Sequence, residues 1–97
     1  PAQIDAVIQC HPSVMDCAVV GVPDEKWGEA VKAVCVPKPG MQIDVESVMA
    51  WARERIAGFK VPRSVDVIEA LPRNASGKIL RKDLRAPYWA GYDRQVN

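Results

Sequence analysis

The residues best suited to chemistry lie together in one C-terminal segment, Pro72-Arg-Asn-Ala-Ser-Gly77-Lys78-Ile-Leu-Arg81. A glycine followed by a lysine suggests a phosphate-binding P-loop, but that motif needs a glycine five residues before Gly77 and a serine or threonine after Lys78. The sequence has Pro72 and Ile79 at those two positions. What remains is a cation at the tip of a flexible turn, able to meet negative charge that develops in a neighbouring cleft, or an ordinary exposed lysine.

Metal and disulfide chemistry find little support in the residue types. The single histidine, His11, has no cluster of cysteines around it, whereas a structural zinc site takes four ligands. Cys10, Cys17 and Cys35 lack C-x-x-C spacing, and the last two lie in stretches rich in valine and alanine, where a free thiol behaves as a small hydrophobic residue. We therefore expect no metal site and three reduced cysteines in the core of a cytoplasmic protein.

Length and composition describe one small globular domain. The chain has 97 residues, of which 48% are apolar and 26% charged. The longest apolar run, residues 17–22, is far shorter than the roughly 20 residues that span a bilayer, so no transmembrane segment is predicted. Residues 1–57 contain five Lys or Arg and eight Asp or Glu, and residues 58–97 contain eight and four. This basic C-terminal part suits an anionic partner or is a solvated surface.

The first half of the chain predicts a helix, two strands and a second helix. Ile4, Val7 and Ile8 have helical spacing, and two β-branched runs, VMDCAVVGVP and AVKAVCVP, predict an antiparallel pair of strands. Asp44 is expected to be the N-cap of the second helix, and Gly58 the residue that closes it.

The second half predicts a third strand, a loop and a last element. The segment SVDVIEALP fits a short strand, and the segment around Lys78 fits a loop or hairpin. Ile79, Leu80 and Leu84 indicate a last helix or short strand that Pro87 interrupts, followed by a tail over residues 86–97. The predicted fold class is α+β, with a small three-stranded, mainly antiparallel sheet covered by helices.

The segment LPRNASGKILRKDLR resembles a motif of the adenylate-forming enzymes, the superfamily of acyl-CoA synthetases, peptide-synthetase adenylation domains and luciferases. Its form is proline, four residues, Gly-Lys, two residues and arginine, which here are Pro72, Gly77, Lys78 and Arg81. The order of the segments before it is similar to the C-terminal domain of that family over residues 1–85. The resemblance implies that residues 1–97 form a mobile C-terminal lid, whose large N-terminal adenylation domain lies outside this chain.

The resemblance also implies a reaction, in which a carboxylic acid attacks the α-phosphate of ATP and forms an acyl-adenylate and pyrophosphate. The lid then rotates for thioester formation with coenzyme A (CoA). Lys78 is the expected catalytic residue for adenylation, Gly77 allows the tight turn beside it, and Arg81 is expected to make surface or interdomain contacts. ATP and CoA are the expected co-substrates, with Mg²⁺ and the acyl-adenylate held by the N-terminal domain.

Two further segments are similar to CoA-binding positions of related acyl-CoA ligases. Trp27 and Gly28 resemble a tryptophan turn that packs against CoA, and Phe59, Lys60 and Arg63 resemble a loop that offers an aromatic surface and basic groups to its phosphates. Packing within the hairpin for Trp27, or at the helix end for Phe59, is the alternative.

Peptide-synthetase domains place an acidic residue two positions after the motif lysine, where this chain has Leu80, and this favours a CoA ligase over a carrier-protein loader. The ending RAPYWAGYDRQVN resembles those of bacterial fatty-acyl-CoA ligases and favours a fatty acid. The expected location is the cytoplasm, with peripheral membrane attachment left open. The alternative function is a nucleic-acid-binding or regulatory α+β module without catalysis, because Tyr88, Trp89 and Tyr92 lie among basic residues. No nucleic-acid partner is expected under the preferred interpretation.

Overall fold

The computed structural model describes residues 2–26 and 28–91, apart from the side chains of Ala2 and Phe59. The elements in chain order are α1 (Ala2–Gln9), β1 (Val14–Asp24), β2 (Gly28–Pro37), α2 (Val45–Arg55), a 3₁₀ turn (Gly58–Lys60), β3 (Ser64–Val67) and α3 (Arg81–Trp89). None of the helices in these residues is long and apolar enough to cross a membrane.

The strands form one three-stranded sheet in the order β1-β2-β3. β1 and β2 are antiparallel, from the pair Val14 and Pro37 to the pair Asp24 and Gly28. β3 runs parallel to β2, which is possible because α2 lies between them in the chain and carries it back across the sheet. The predicted antiparallel pair and the predicted α+β class are confirmed.

Both faces of this sheet are buried. Because successive side chains of a strand point to opposite faces, the apolar runs of β1 and β2 divide into two core clusters. The first, under α1 and α2, contains Ile8, Cys17, Val19, Ala33, Cys35, Val48 and Ala52. The second, under the C-terminal segment, contains Ala18, Val20, Val22, Val34, Val36, Leu71 and Leu84. A sheet covered on both faces explains why the strands are almost continuously apolar.

The three cysteines are free thiols, but they do not all lie in the core. Cys17 and Cys35 are directly opposite each other on β1 and β2 and are buried, as predicted. Cys10, one residue beyond α1, is exposed, so its predicted place in the core is wrong.

The prediction for α2 is confirmed at its N-terminal end and wrong at its C-terminal end. Asp44 is the N-cap, and its carboxylate accepts a hydrogen bond of 3.1 Å from the backbone N–H of Glu46. The predicted closing residue, Gly58, is wrong. The helix ends at Arg55, the C-cap Ile56 is extended, and Gly58 begins the 3₁₀ turn without a positive φ angle. Ile56 packs against the first cluster, which directs the chain away from the helix before Gly58.

Pro87 does not interrupt the last element, contrary to prediction. It lies inside α3, which continues to Trp89, so residues 86–89 of the predicted tail are helical. The last turn is held on the sheet by two side chains: the Tyr88 hydroxyl donates to Asp66 at 2.6 Å and the Trp89 indole N–H donates to the carbonyl of Gly21 at 2.8 Å. These contacts offset the hydrogen bond that proline removes. Residues 92–97 lie outside the described residues.

Asp66 is the centre of a polar cluster between β2, β3 and α3. Its carboxylate accepts hydrogen bonds from the Tyr88 hydroxyl and, at 3.0 Å, from the Lys32 ammonium. The Tyr88 hydrogen bond, with help from Lys32, holds the pKa of Asp66 below its ordinary value. Burial, together with the hydrogen bond to the Asp66 carboxylate, raises the pKa of Tyr88 to about 12.

We expect Tyr88 to ionise well above the ordinary tyrosine range. Its pKa of about 12 in the folded chain exceeds the ordinary 10.0, so the stability it contributes is complete below pH 10 and is lost as the pH rises through 12. A tyrosinate absorbance titration should show a late component that Tyr88→Phe removes. The contrary result is that both tyrosines, Tyr88 and Tyr92, ionise together near pH 10 while circular dichroism shows a folded chain.

Ile8 provides a graded test of the first cluster. Its side chain is 0% exposed where α1 meets the sheet. We expect Ile8→Ala to lower the free energy of unfolding in urea by about 2–5 kcal/mol and Ile8→Val by about 0.5–1.5 kcal/mol, because the larger truncation leaves the larger cavity. Equal small losses for the two variants would show that α1 is not packed as described.

Candidate functional site

Lys78 lies on a short hairpin between β3 and α3. Arg73 and Ile79 form an isolated antiparallel bridge, and the backbone N–H of Asn74 donates to the carbonyl of Lys78 at 3.0 Å. Gly77 adopts a φ of +89°, in the region where glycine alone is unstrained, and its N–H donates to the carbonyl of Asn74 at 3.0 Å. The lysine is therefore carried by a hydrogen-bonded turn of the backbone.

Two side chains hold this hairpin from within. The Asn74 side-chain oxygen accepts from the backbone N–H of Ser76 at 3.0 Å and of Lys78 at 2.9 Å. The Arg73 guanidinium donates to the carbonyl of Gly77 at 2.5 Å and to the Asp16 carboxylate of β1 at 2.6 Å. The second contact fastens the hairpin to the sheet.

The Lys78 side chain is exposed. Within residues 2–26 and 28–91, no group accepts a hydrogen bond from its ammonium, and its hydrogen bonds are those of its backbone. The hairpin thus fixes the backbone of the lysine and leaves its ammonium exposed.

Arg81 holds the other end of the same segment. Its guanidinium donates to the carbonyl of Val19 at 2.8 Å and forms an ion pair with Asp5 of α1. Asp5 also accepts from the backbone N–H of Val19 at 2.8 Å. These partners of Arg81 belong to α1 and β1 of this domain, and the surface or interdomain contacts expected for it stay a prediction.

Gly28 and Arg63, two of the predicted CoA-binding residues, lie toward the other end of the β1–β2 hairpin. Gly28 begins β2 with a φ of +81°, Lys60 ends the 3₁₀ turn, and Arg63 precedes β3 with its N–H bonded to the carbonyl of Val31 at 2.8 Å. Trp27 and the side chain of Phe59 fall outside what the structure describes. The Lys78 hairpin is tied to β1 at Asp16, about eight residues or roughly 26 Å along the strand from the turn before Gly28.

A pocket of about 410 Å³ opens beside Arg63 and includes Asp24, Lys32 and Tyr88 in its lining. Arg63 therefore lines the same pocket as Asp24, which pairs with Gly28 at the end of β1. Lys60 and Gly28 do not line this pocket. Two surfaces result, one at the Lys78 hairpin and one at the Arg63 pocket.

Sequence reasoning missed the residues that hold the hairpin. An asparagine two residues before a serine is typical of a turn in which the side chain accepts backbone N–H groups, so Asn74 could have been found. The contact of Arg73 with Asp16 joins positions 57 residues apart and has no local signal. Among the described residues no group of three or more metal-ligating side chains occurs.

Known proteins share both the sequence and the fold. A feruloyl-CoA synthase from Amycolatopsis sp is 48% identical over 85 residues, which are 88% of this chain and 17% of that protein. A fatty acid–[acyl-carrier-protein] ligase, ScoC of Streptomyces coeruleorubidus, is 43% identical over 97 residues, which are 100% of this chain and 19% of the relative. This chain therefore spans less than a fifth of the length of these curated relatives.

Among solved structures, the Mycobacterium tuberculosis fatty acyl CoA synthetase is 41% identical with a TM-score of 0.84, covering 93% of this chain and 18% of that one. ATP-bound MatB from Rhodopseudomonas palustris is 38% identical with a TM-score of 0.84, covering 91% and 18%. The family model described as "AMP-binding enzyme C-terminal domain" matches residues 3–78, from α1 through the hairpin lysine. These matches confirm the resemblance inferred from the motif, and the chain belongs to the family of C-terminal domains of AMP-binding, adenylate-forming enzymes.

Proposed function

We propose that this chain is the C-terminal part of an AMP-forming acid–thiol ligase that activates a carboxylic acid and transfers the acyl group to CoA. The observation that carries the proposal is Lys78, which lies on a hydrogen-bonded hairpin inside the family match and whose ammonium has no hydrogen-bond partner among residues 2–26 and 28–91. In the first half-reaction a carboxylate oxygen bonds to the α-phosphorus of ATP and pyrophosphate leaves. In the second, the thiol of CoA loses its proton, attacks the acyl carbonyl carbon and displaces AMP.

Lys78 has an electrostatic role in this proposal. Negative charge shifts within the carboxylate and the α-phosphate as the new bond forms, and a lysine ammonium placed there stabilises the transition state without a covalent step. The chain supplies the cation, while ATP, Mg²⁺ and the acid are held by a large N-terminal domain. That partner is consistent with relatives of which this chain covers only 17–19%. The chain alone should fold and show no turnover, because it lacks the substrates' pocket.

The CoA surface is proposed at the opposite end of the β1–β2 hairpin from Lys78. It comprises Trp27, Gly28, Phe59, Lys60 and Arg63, and the pocket beside Arg63 offers a concave surface near the start of β2. Two separated surfaces suit a domain that serves two half-reactions in turn.

A fatty acid is the proposed substrate, supported by relatives whose names specify fatty acids. Leu80 favours CoA as the acyl acceptor, whereas ScoC, which matches the whole chain, is named as a ligase of acyl-carrier protein. We propose CoA, since the feruloyl-CoA synthase and the M. tuberculosis enzyme are named for it. The relatives described above are ligases and give no support to the nucleic-acid-binding alternative. The free thiols of the three cysteines support the cytoplasm as the location.

Replacing Lys78 tests the proposal in the full-length enzyme. Lys78→Ala should reduce acid-dependent ATP–pyrophosphate exchange about 100-fold or more, because removing one group that stabilises a transition-state charge costs about that much. Thioester formation from supplied acyl-adenylate should be retained. Lys82→Ala, which removes an exposed lysine four residues later, is the matched control and should leave both rates unchanged. Equal loss of both half-reactions in Lys78→Ala would overturn the role.

Replacing Trp27 tests the second half-reaction independently of the first. Trp27→Ala should raise the concentration of CoA needed for half-maximal thioester formation about tenfold, the effect of losing one aromatic contact of some 1–1.5 kcal/mol. ATP–pyrophosphate exchange should stay at the level of the unsubstituted enzyme. An unchanged CoA dependence would remove Trp27 from the proposed surface.

A further inference from the structure

Both polar atoms of the peptide bond that precedes Lys78 are bound by side chains. The carbonyl oxygen of Gly77 accepts from the Arg73 guanidinium at 2.5 Å, and the N–H of Lys78 donates to the side-chain oxygen of Asn74 at 2.9 Å. A peptide unit is planar, so two bonds on its opposite edges fix its rotation. The direction in which the Lys78 Cα–Cβ bond leaves the hairpin depends on that rotation.

Arg73 also connects this peptide to the rigid part of the domain. A second guanidinium nitrogen donates to Asp16 Oδ2 at 2.6 Å, while Asp16 Oδ1 accepts from the N–H of Cys17 in β1 at 3.0 Å. The carboxylate is thus held by the strand, and the guanidinium spans from the strand to the Gly77 carbonyl. The planar fork of arginine can make both bonds at once, whereas a lysine would supply a single point of charge.

The exposure of this ion pair argues against a mainly stabilising role. The side chains of Arg73 and Asp16 are 39% and 18% exposed, and pairs that are open to water contribute little to folding. Its geometry has a larger effect, because a shift of about 1 Å in a charge that stabilises a transition state lowers a rate by as much as about 100-fold.

We propose that Arg73 is the positioning residue for Lys78, with Asp16 and Asn74 holding it and the intervening peptide in place. The inference rests on the proposed adenylation role of Lys78 and adds to it the group that aims the ammonium. Arg73 itself touches no substrate in this scheme and acts through the Gly77 carbonyl.

The test compares half-reactions in the full-length enzyme. Arg73→Ala should lower ATP–pyrophosphate exchange about 10- to 100-fold and leave thioester formation from supplied acyl-adenylate unchanged. Arg73→Lys should recover part of the loss, since it keeps the charge but not the fork. Asp16→Asn should give a smaller loss in exchange, and the double variant Arg73→Ala, Asp16→Asn should be no slower than Arg73→Ala, because the two residues act through one contact.

Arg55→Ala is the matched control. Arg55 is an arginine of similar exposure that pairs with Glu54 at 3.0 Å on α2, which packs on the first cluster, away from the hairpin. The Arg55→Ala variant should leave both half-reactions unchanged. The melting temperatures of all variants should be recorded to separate unfolding from a misplaced Lys78 ammonium.

The outcomes separate this inference from the function on which it rests. Normal exchange in Arg73→Ala together with a selective loss in Lys78→Ala would overturn the positioning role and leave the proposed function intact. Parallel loss of both half-reactions in Arg73→Ala would also overturn it, because a structural defect affects both. If Lys78→Ala itself shows no selective loss, the proposed function fails first.

Discussion

A sheet that is apolar on both faces must be covered twice, and the rest of this small domain follows from that requirement. α1 and α2 cover one face with regular helices. The other face is covered by the C-terminal segment, which contributes Leu71, the α3 residues Leu84 and Tyr88, and the partly buried Ile68 and Ile79. Leu71 lies two residues before the Lys78 hairpin and Ile79 is its last residue, so the packing that closes the second cluster also determines where the lysine emerges.

The outer edge of the sheet imposes a second requirement. β1 is an edge strand, and the outward backbone groups of such a strand need partners. Asp5 accepts a hydrogen bond from the N–H of Val19, and Arg81 donates one to the carbonyl of Val19. The Trp89 indole donates to the carbonyl of Gly21. These side chains cover part of the edge and fix the path of α3 at the same time.

The opposite net charges of the two parts of the chain are explained in part by ion pairs between them. Acidic residues of the first part pair with basic residues of the second, Asp5 with Arg81 and Asp16 with Arg73. The basic C-terminal part predicted an anionic partner or a solvated surface, yet two of its arginines are engaged within the domain. Lys78, between them in the chain, pairs with no carboxylate among the described residues.

The sequence predicted what depends on local pattern. The periodicity of β1, β2, α1 and α2 and the N-cap Asp44 follow from side-chain type and spacing, and the motif identified the family and the candidate lysine. The predictions that were wrong concern positions where contacts with residues distant in the chain determine the local structure. Proline usually ends a helix, but α3 continues past Pro87 because Tyr88 and Trp89 bind the sheet. Glycine often ends a helix as well, but α2 ends before Gly58 because Ile56 packs against the first cluster. The hold of Arg73 on Asp16 depends on the completed sheet, and no local pattern could have shown it.

The central claim is tested most directly by pyrophosphate release from the full-length protein with ATP, Mg²⁺ and a panel of carboxylic acids of graded chain length. Each acid is supplied without a thiol, with CoA and with an acyl-carrier protein. We predict release that requires an acid, turns over repeatedly with CoA and is fastest at fatty-acid chain lengths. A folded protein that releases no pyrophosphate with any acid of the panel would contradict the account.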